Sequence, residues 1–199
     1  MRIVLLVTSL VTLFGTSAAI AEPPLREITF VVDQSKVRLS GQLTPANLTP
    51  DGKATVTAKG ALFDPAKVFV VKSPWRPDQS EPLATVENYY KASVSGTDQQ
   101  TLAFWHPDER VDIKKMLDNP DLKRRNREVV ASIDKIEIKG FLDFPHYRVV
   151  FIAFGRSILG VNTVEKDGKW YLTNKPPNDL AVAIAEAAFT DGTVTQPGH

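Results

Sequence analysis

The chain has 199 residues with 24 Lys and Arg against 23 Asp and Glu, a formal charge of only +1. That balance excludes a dedicated nucleic-acid binder, which needs a basic surface to displace the counterions of phosphate groups. The sequence contains no cysteine, which excludes disulfides, thiolate metal sites and cysteine lipidation, so stability must come from a packed core.

Residues 1–21 read as a signal peptide. One charge, Arg2, precedes the apolar run Ile3–Phe14, and Ala19-Ile20-Ala21 forms a small-residue cleavage pattern before Glu22. The run is shorter than the roughly 20 residues a spanning helix needs. No later segment is long and apolar enough to span a membrane, so the expected location is periplasmic or secreted. Because Arg2 is the only charge removed, the mature chain carries equal numbers of acids and bases.

Residues 22–79 form a β-rich N-terminal segment. Ile28, Phe30 and Val32 alternate, as do Val37, Leu39 and Leu43, while Lys53–Lys59 and Lys67–Lys72 read as two further strands. So short a segment is marginal as an independent core and is expected to lean on its neighbour. Ser73-Pro74-Trp75-Arg76-Pro77 marks the boundary, because two prolines interrupt both helix and sheet.

The main domain is expected over residues 80–189. Ser80 is placed to cap a helix bearing Leu83, Val86, Tyr90 and Val94 at helical spacing, with Gly96 as a left-handed stop. Thr97 to Gln100 is a capping box that opens a second helix through Leu102, Phe104 and Trp105, broken by Pro107. A third helix is expected over 108–117, with Asp108 as its cap, and a charged one over 121–131. Strands follow: Ile136 and Ile138 alternate, and 147–154 is almost wholly apolar, which predicts burial on both faces. Residues 161–164 and 169–173 flank Asp167-Gly168, a hairpin signal. The second sheet face is expected to be covered by a dimer partner, by the N-terminal segment or by the Ala-rich helix 180–189. Residues 190–199 read as a disordered tail.

Helix, glycine, capped helix, Trp-His-Pro break, helix, then antiparallel strands closing on Lys169-Trp170-Tyr171-Leu172 resembles the nuclear transport factor 2-like superfamily over residues 82–174. The best local piece is Tyr89-Tyr90-Lys91-Ala92 to Gly96, followed by Leu102, Phe104 and Trp105. The resemblance implies an α+β fold in which a curved antiparallel sheet wraps around N-terminal helices to leave a cone-shaped pocket, here preceded by the β-rich segment. The superfamily includes ketosteroid isomerase, scytalone dehydratase, limonene epoxide hydrolase and many binding proteins. Aligned on Gly96, Tyr89 falls at the isomerase's oxyanion tyrosine. The place of its proton-shuttling aspartate falls on Ile113, next to Asp112.

Read from the residues, Tyr89 and Tyr90 project about 100° apart on a helix and are not expected to face one pocket. His106 and Asp108 place an imidazole beside a carboxylate at a helix break, an arrangement suited to general-base work or simply to a turn. Arg148 either reaches into the cavity to hold an anion or stands in solvent. Lys123, Arg124, Arg125 and Arg127 read as a solvated helix face. The histidines are too few for a metal site and no calcium loop is present, so neither metal nor cofactor is expected.

The sequence thus leads to an exported, non-catalytic module. It binds a small apolar molecule or an envelope protein, as a homodimer, with Tyr89, Phe104, Trp105, Arg148 and Trp170 as ligand-binding residues. The alternatives are an isomerase- or dehydratase-type enzyme using Tyr89 with His106, Asp108 or Asp112, and a structural accessory protein of the cell envelope.

Overall fold

The computed structural model describes residues 23–38, 50–176 and 179–197. The expected signal peptide and the strand positions Leu39 and Leu43 lie outside the described residues. Strand β1 (Arg26–Asp33) pairs antiparallel with β2 (Lys53–Val70). Four helices follow: α1 (Pro82–Ser95), α2 (Asp98–Ala103), α3 (Arg110–Asp118) and α4 (Pro120–Ala131). Then come β3 (Lys135–Phe144), β4 (Tyr147–Phe154), β5 (Ser157–Lys166) and β6 (Lys169–Leu172), followed by α5 (Asp179–Asp191) and β7 (Thr193–Thr195). All seven strands join one antiparallel sheet in the order β6-β5-β4-β3-β2-β1-β7, so the protein is α+β.

The β-rich segment is therefore part of the same sheet as the strands that follow the helices. The two strands expected over 53–59 and 67–72 are one, β2. Its first half pairs with β1 and its second with β3. Between Leu62 and Lys67 the register shifts, and this bulge, which contains Pro65, breaks the alternation that made one strand read as two. Gly60 sits where β2 comes closest to β3: a Cβ there would lie 2.1 Å from the Phe141 carbonyl oxygen.

The sheet has a core on each face. On one, α1 packs over β4, β5 and β6, and Val86, Tyr90 and Phe104 meet Ile138, Phe141, Val150 and Ile152. On the other, α5 crosses from β5 to β1 and buries Ile184, Ala185 and Ala188 against Phe30, Leu142 and Phe151. Burial of each such phenylalanine is worth about 1.5–3 kcal/mol. Five consecutive residues, Ala181–Ala185, are buried, and the polar residues Glu186, Thr190 and Asp191 follow them. Of the three covers expected for the second face, the Ala-rich helix is the one observed.

Several local expectations are corrected. Glu81, not Ser80, is the N-cap residue of α1, and the Ser80 hydroxyl instead donates to Asp78 Oδ1 at 2.7 Å. Gly96 is extended (φ −90°, ψ 172°) rather than left-handed; it is required because a Cβ would lie 2.7 Å from the Ala92 carbonyl oxygen. Asp108 does not cap the third helix. It lies inside a 3-10 turn over Pro107–Glu109 whose cap is His106, with Nδ1 accepting the Asp108 N–H at 3.4 Å. The tail expected to be disordered supplies β7, which pairs with Thr29, Phe30 and Val31 of β1.

Candidate functional site

Helices α1 to α4 enclose a cavity of about 200 Å³ lined by Tyr89, Tyr90 and Ser93 of α1, Asp98 and Thr101 of α2, Leu117 of α3 and one stripe of α4. The stripe is Lys123, Asn126, Arg127 and Val130, at the i, i+3, i+4, i+7 spacing of a single helix face. Asn119 starts α4 by accepting the N–H groups of Asp121 and Leu122 at 3.1 Å each. The capping box of Thr97 and Gln100, present as expected, fixes Asp98 at the head of α2.

Tyr89 and Tyr90 both line this cavity, contrary to the expectation from helical projection. Their rings meet edge to face with centroids 5.3 Å apart. Adjacent residues diverge at Cα, but α2, α3 and α4 surround one side of α1, so the cavity spans the arc between the two directions. Behind Tyr89 stand Trp105 and Phe104, with ring centroids at 5.8 and 6.5 Å, both edge-on. Burial pushes the Tyr89 phenol above its ordinary pKa, opposed in part by hydrogen bonding with Ser93 and Trp105. Burial also raises Tyr90, and repulsion from Tyr89 adds to it. Both remain neutral at physiological pH.

At the cavity's rim Asp98 bridges two cations, with Lys123 Nζ at 2.5 Å from Oδ2 and Arg127 Nη2 at 2.9 Å from Oδ1. Arg124, Arg125 and Arg127 are exposed, as the charge run suggested, whereas the Lys123 side chain is only 31% exposed. The signal available in the sequence was the stripe itself, which joins two cations to Val130 on one face.

The other expected ligand-binding residues lie elsewhere. Arg148 and Trp170 line a separate open groove of about 460 Å³ beside the β3–β4 turn. There the Arg148 guanidinium lies 4.2 Å from the Phe141 ring centroid and 5.8 Å from that of Trp170, with Nε donating to Asp143 at 3.0 Å. At 12% side-chain exposure, Arg148 is not solvated.

His106 stands outside the helical cavity, edge-on to Tyr171. Asp108 is 70% exposed, between His106 at 3.8 Å and Lys166 at 3.7 Å. Asp112 is 79% exposed and hydrogen-bonded to Lys115 at 2.9 Å, a bond that lowers its pKa. None of the three lines the cavity that Tyr89 faces. Among the described residues no group of three His, Asp or Glu is arranged to hold a metal.

On the α5 face, the end of the sheet beyond Phe189 is an open trough of about 700 Å³ that includes Val68, Glu137, Lys139 and Arg156. Val68 is 56% exposed there. One turn before Phe189, Glu186 Oε1 accepts the Gly160 N–H at 2.6 Å, and burial raises its carboxyl above the ordinary range. No family model, curated protein or solved structure matches this chain.

Proposed function

We propose that the protein is an exported binding module that holds a single-ring small molecule between α1, α2, α3 and α4. The observation that carries this reading is the convergence of Tyr89 and Tyr90 on one cavity whose rim is the Asp98–Lys123–Arg127 cluster. A few placed polar groups around an apolar hollow are the usual make-up of a ligand site. Its volume lies below the ~300–1,000 Å³ of sites for drug-sized molecules, which sets the size of the guest.

Binding is favoured over catalysis because the carboxylate at this cavity, Asp98, has one oxygen engaged by Lys123 and the other by Arg127. Phe104 and Trp105 act by positioning Tyr89. We assign α1–α4 with β3–β6 to a nuclear transport factor 2-like unit. Support comes from the helix, Gly96, capped-helix and Trp-His-Pro order, and from the parallel bridge joining Trp105 to Leu172 of β6. Export rests on the charge, apolar run and Ala-x-Ala pattern of residues 1–21. A second copy of the chain would meet the uncovered sheet strip at Val68 and Val70, and the molar mass in sedimentation equilibrium reports it.

Native mass spectrometry of mature protein, purified gently from the exported fraction, tests the cavity. A stoichiometric small-molecule adduct on wild type, absent from a folded Ser93→Trp variant that fills the cavity, is expected. A wild-type protein that is empty and also binds no single-ring compound by ligand-observed NMR would overturn the reading.

A further inference from the structure

Resting on that binding reading, we infer that the ligand is a single-ring aromatic monocarboxylate, its ring against Tyr89 and Tyr90 and its carboxylate at Lys123 and Arg127. The first argument is charge. Two cations share one carboxylate at the rim, a local excess of one positive charge in a chain otherwise balanced. Elsewhere on α4 the match is closer: Arg124 lies 3.0 Å from Asp121 and 3.9 Å from Glu128.

The second argument is donor count. Among the described contacts Lys123 and Arg127 each give one hydrogen bond to Asp98, whereas an ammonium has three donors and a guanidinium five. The cavity's two aliphatic hydroxyls are committed to backbone, since Ser93 Oγ donates to the Tyr89 carbonyl at 2.8 Å and Thr101 Oγ1 to the Thr97 carbonyl at 3.2 Å. The rim cations therefore keep unspent donors, which a carboxylate would accept.

The third argument is the apolar half. The Tyr89–Tyr90 pair, Leu117 and Val130 offer ring faces and aliphatic surface that suit an aromatic ring. A cationic guest would face two like charges. A neutral one would leave the rim's surplus donors to water.

Isothermal titration of the mature chain with phenylacetate and phenylacetamide, near 25 and 250 mM salt, tests the inference. Phenylacetate is expected to bind at least about tenfold tighter, a preference of about 1.4 kcal/mol. High salt should weaken it. In Lys123→Met/Arg127→Gln the preference for the acid over the amide disappears, with folding checked by circular dichroism. Asp98→Asn, which removes the internal competitor, should bind the acid several-fold more tightly. Equal affinity for acid and amide would overturn the carboxylate and leave the binding reading standing. So would an adduct in native mass spectrometry together with no binding of either probe. No adduct and no binding of either would overturn both.

Discussion

Glu109 holds Thr173 across 64 positions of chain: Oε1 accepts the threonine hydroxyl at 2.5 Å, and Oε2 accepts the Asn174 N–H at 2.8 Å. The carboxylate ties the turn after the Trp-His-Pro break to the end of β6. Hydrogen bonds to charged groups contribute about 1.5–3 kcal/mol. Glu109→Ala should lose about that much in urea unfolding, with Glu109→Gln intermediate. An unchanged midpoint for the alanine variant would mean that the Trp105–Leu172 bridge holds this junction alone.

Phe104 is 2% exposed, with its ring against Trp75 and Tyr89. Phe104→Ala should cost about 3–5 kcal/mol, because the lost contacts add to the cavity left behind. Near-ultraviolet circular dichroism should weaken as Tyr89 loses its support. Retention of the full aromatic signal would count against Phe104 as the residue that positions it.

Tyr89 and Tyr90 should resist ionisation. A free phenol titrates near pH 10, whereas burial raises both of these. The folded state therefore holds these protons more tightly than the unfolded one. The stability they contribute is present below the ordinary phenol value and is lost as pH rises through the folded values. Ultraviolet titration should show both silent until alkaline unfolding. Early ionisation of either would contradict their burial.

Glu186 produces the same sign at acid pH. Burial raises its carboxyl and the Gly160 N–H only partly opposes this, so its contribution is fullest below the ordinary glutamate value, near 4.3, and is lost as pH rises. The difference in stability between wild type and Glu186→Gln should therefore shift against the wild type from pH 4 to pH 7. A pH-independent difference in melting temperature would show that Glu186 stays solvated.

Deleting residues 193–199 should expose the edge of β1 at Thr29–Val31 and remove Gln196, whose Oε1 accepts the Leu62 N–H at 3.1 Å. An open edge is a template for pairing with other chains. Concentration-dependent association by size exclusion, with a lower melting temperature, is expected. A monomeric deletion variant of unchanged stability would reduce β7 to a passive appendage.

What was legible in the sequence was local. The capping box at Thr97, the apolar strand β4 and the Asp167-Gly168 hairpin each declare themselves within a few residues; the turn residues take φ of 53° and 71°, as a two-residue hairpin loop requires. What escaped depends on distant neighbours. β7 is three residues long and is a strand only because β1 lies beside it. Asp98 read as part of a cap, and its role at the rim needs Lys123 and Arg127, 25 and 29 positions away. The five expected ligand residues divided between two places because Arg148 and Trp170 belong to the groove beside the β3–β4 turn, whereas Tyr89 faces the other helices.

The neighbour relation of β1 and β7 has a kinetic consequence. Arg26 Nη1 reaches the Pro197 carbonyl across 171 positions, near the far end of the same strand pair. On a growing chain, the outer edge of β1 therefore stays unshielded until Thr193–Thr195 has been made. Closing so long a loop is slow, so the interval between emergence of β1 and docking of β7 is the period of greatest exposure to misassociation. A chaperone that binds extended strands would act most usefully then, on residues 26–33.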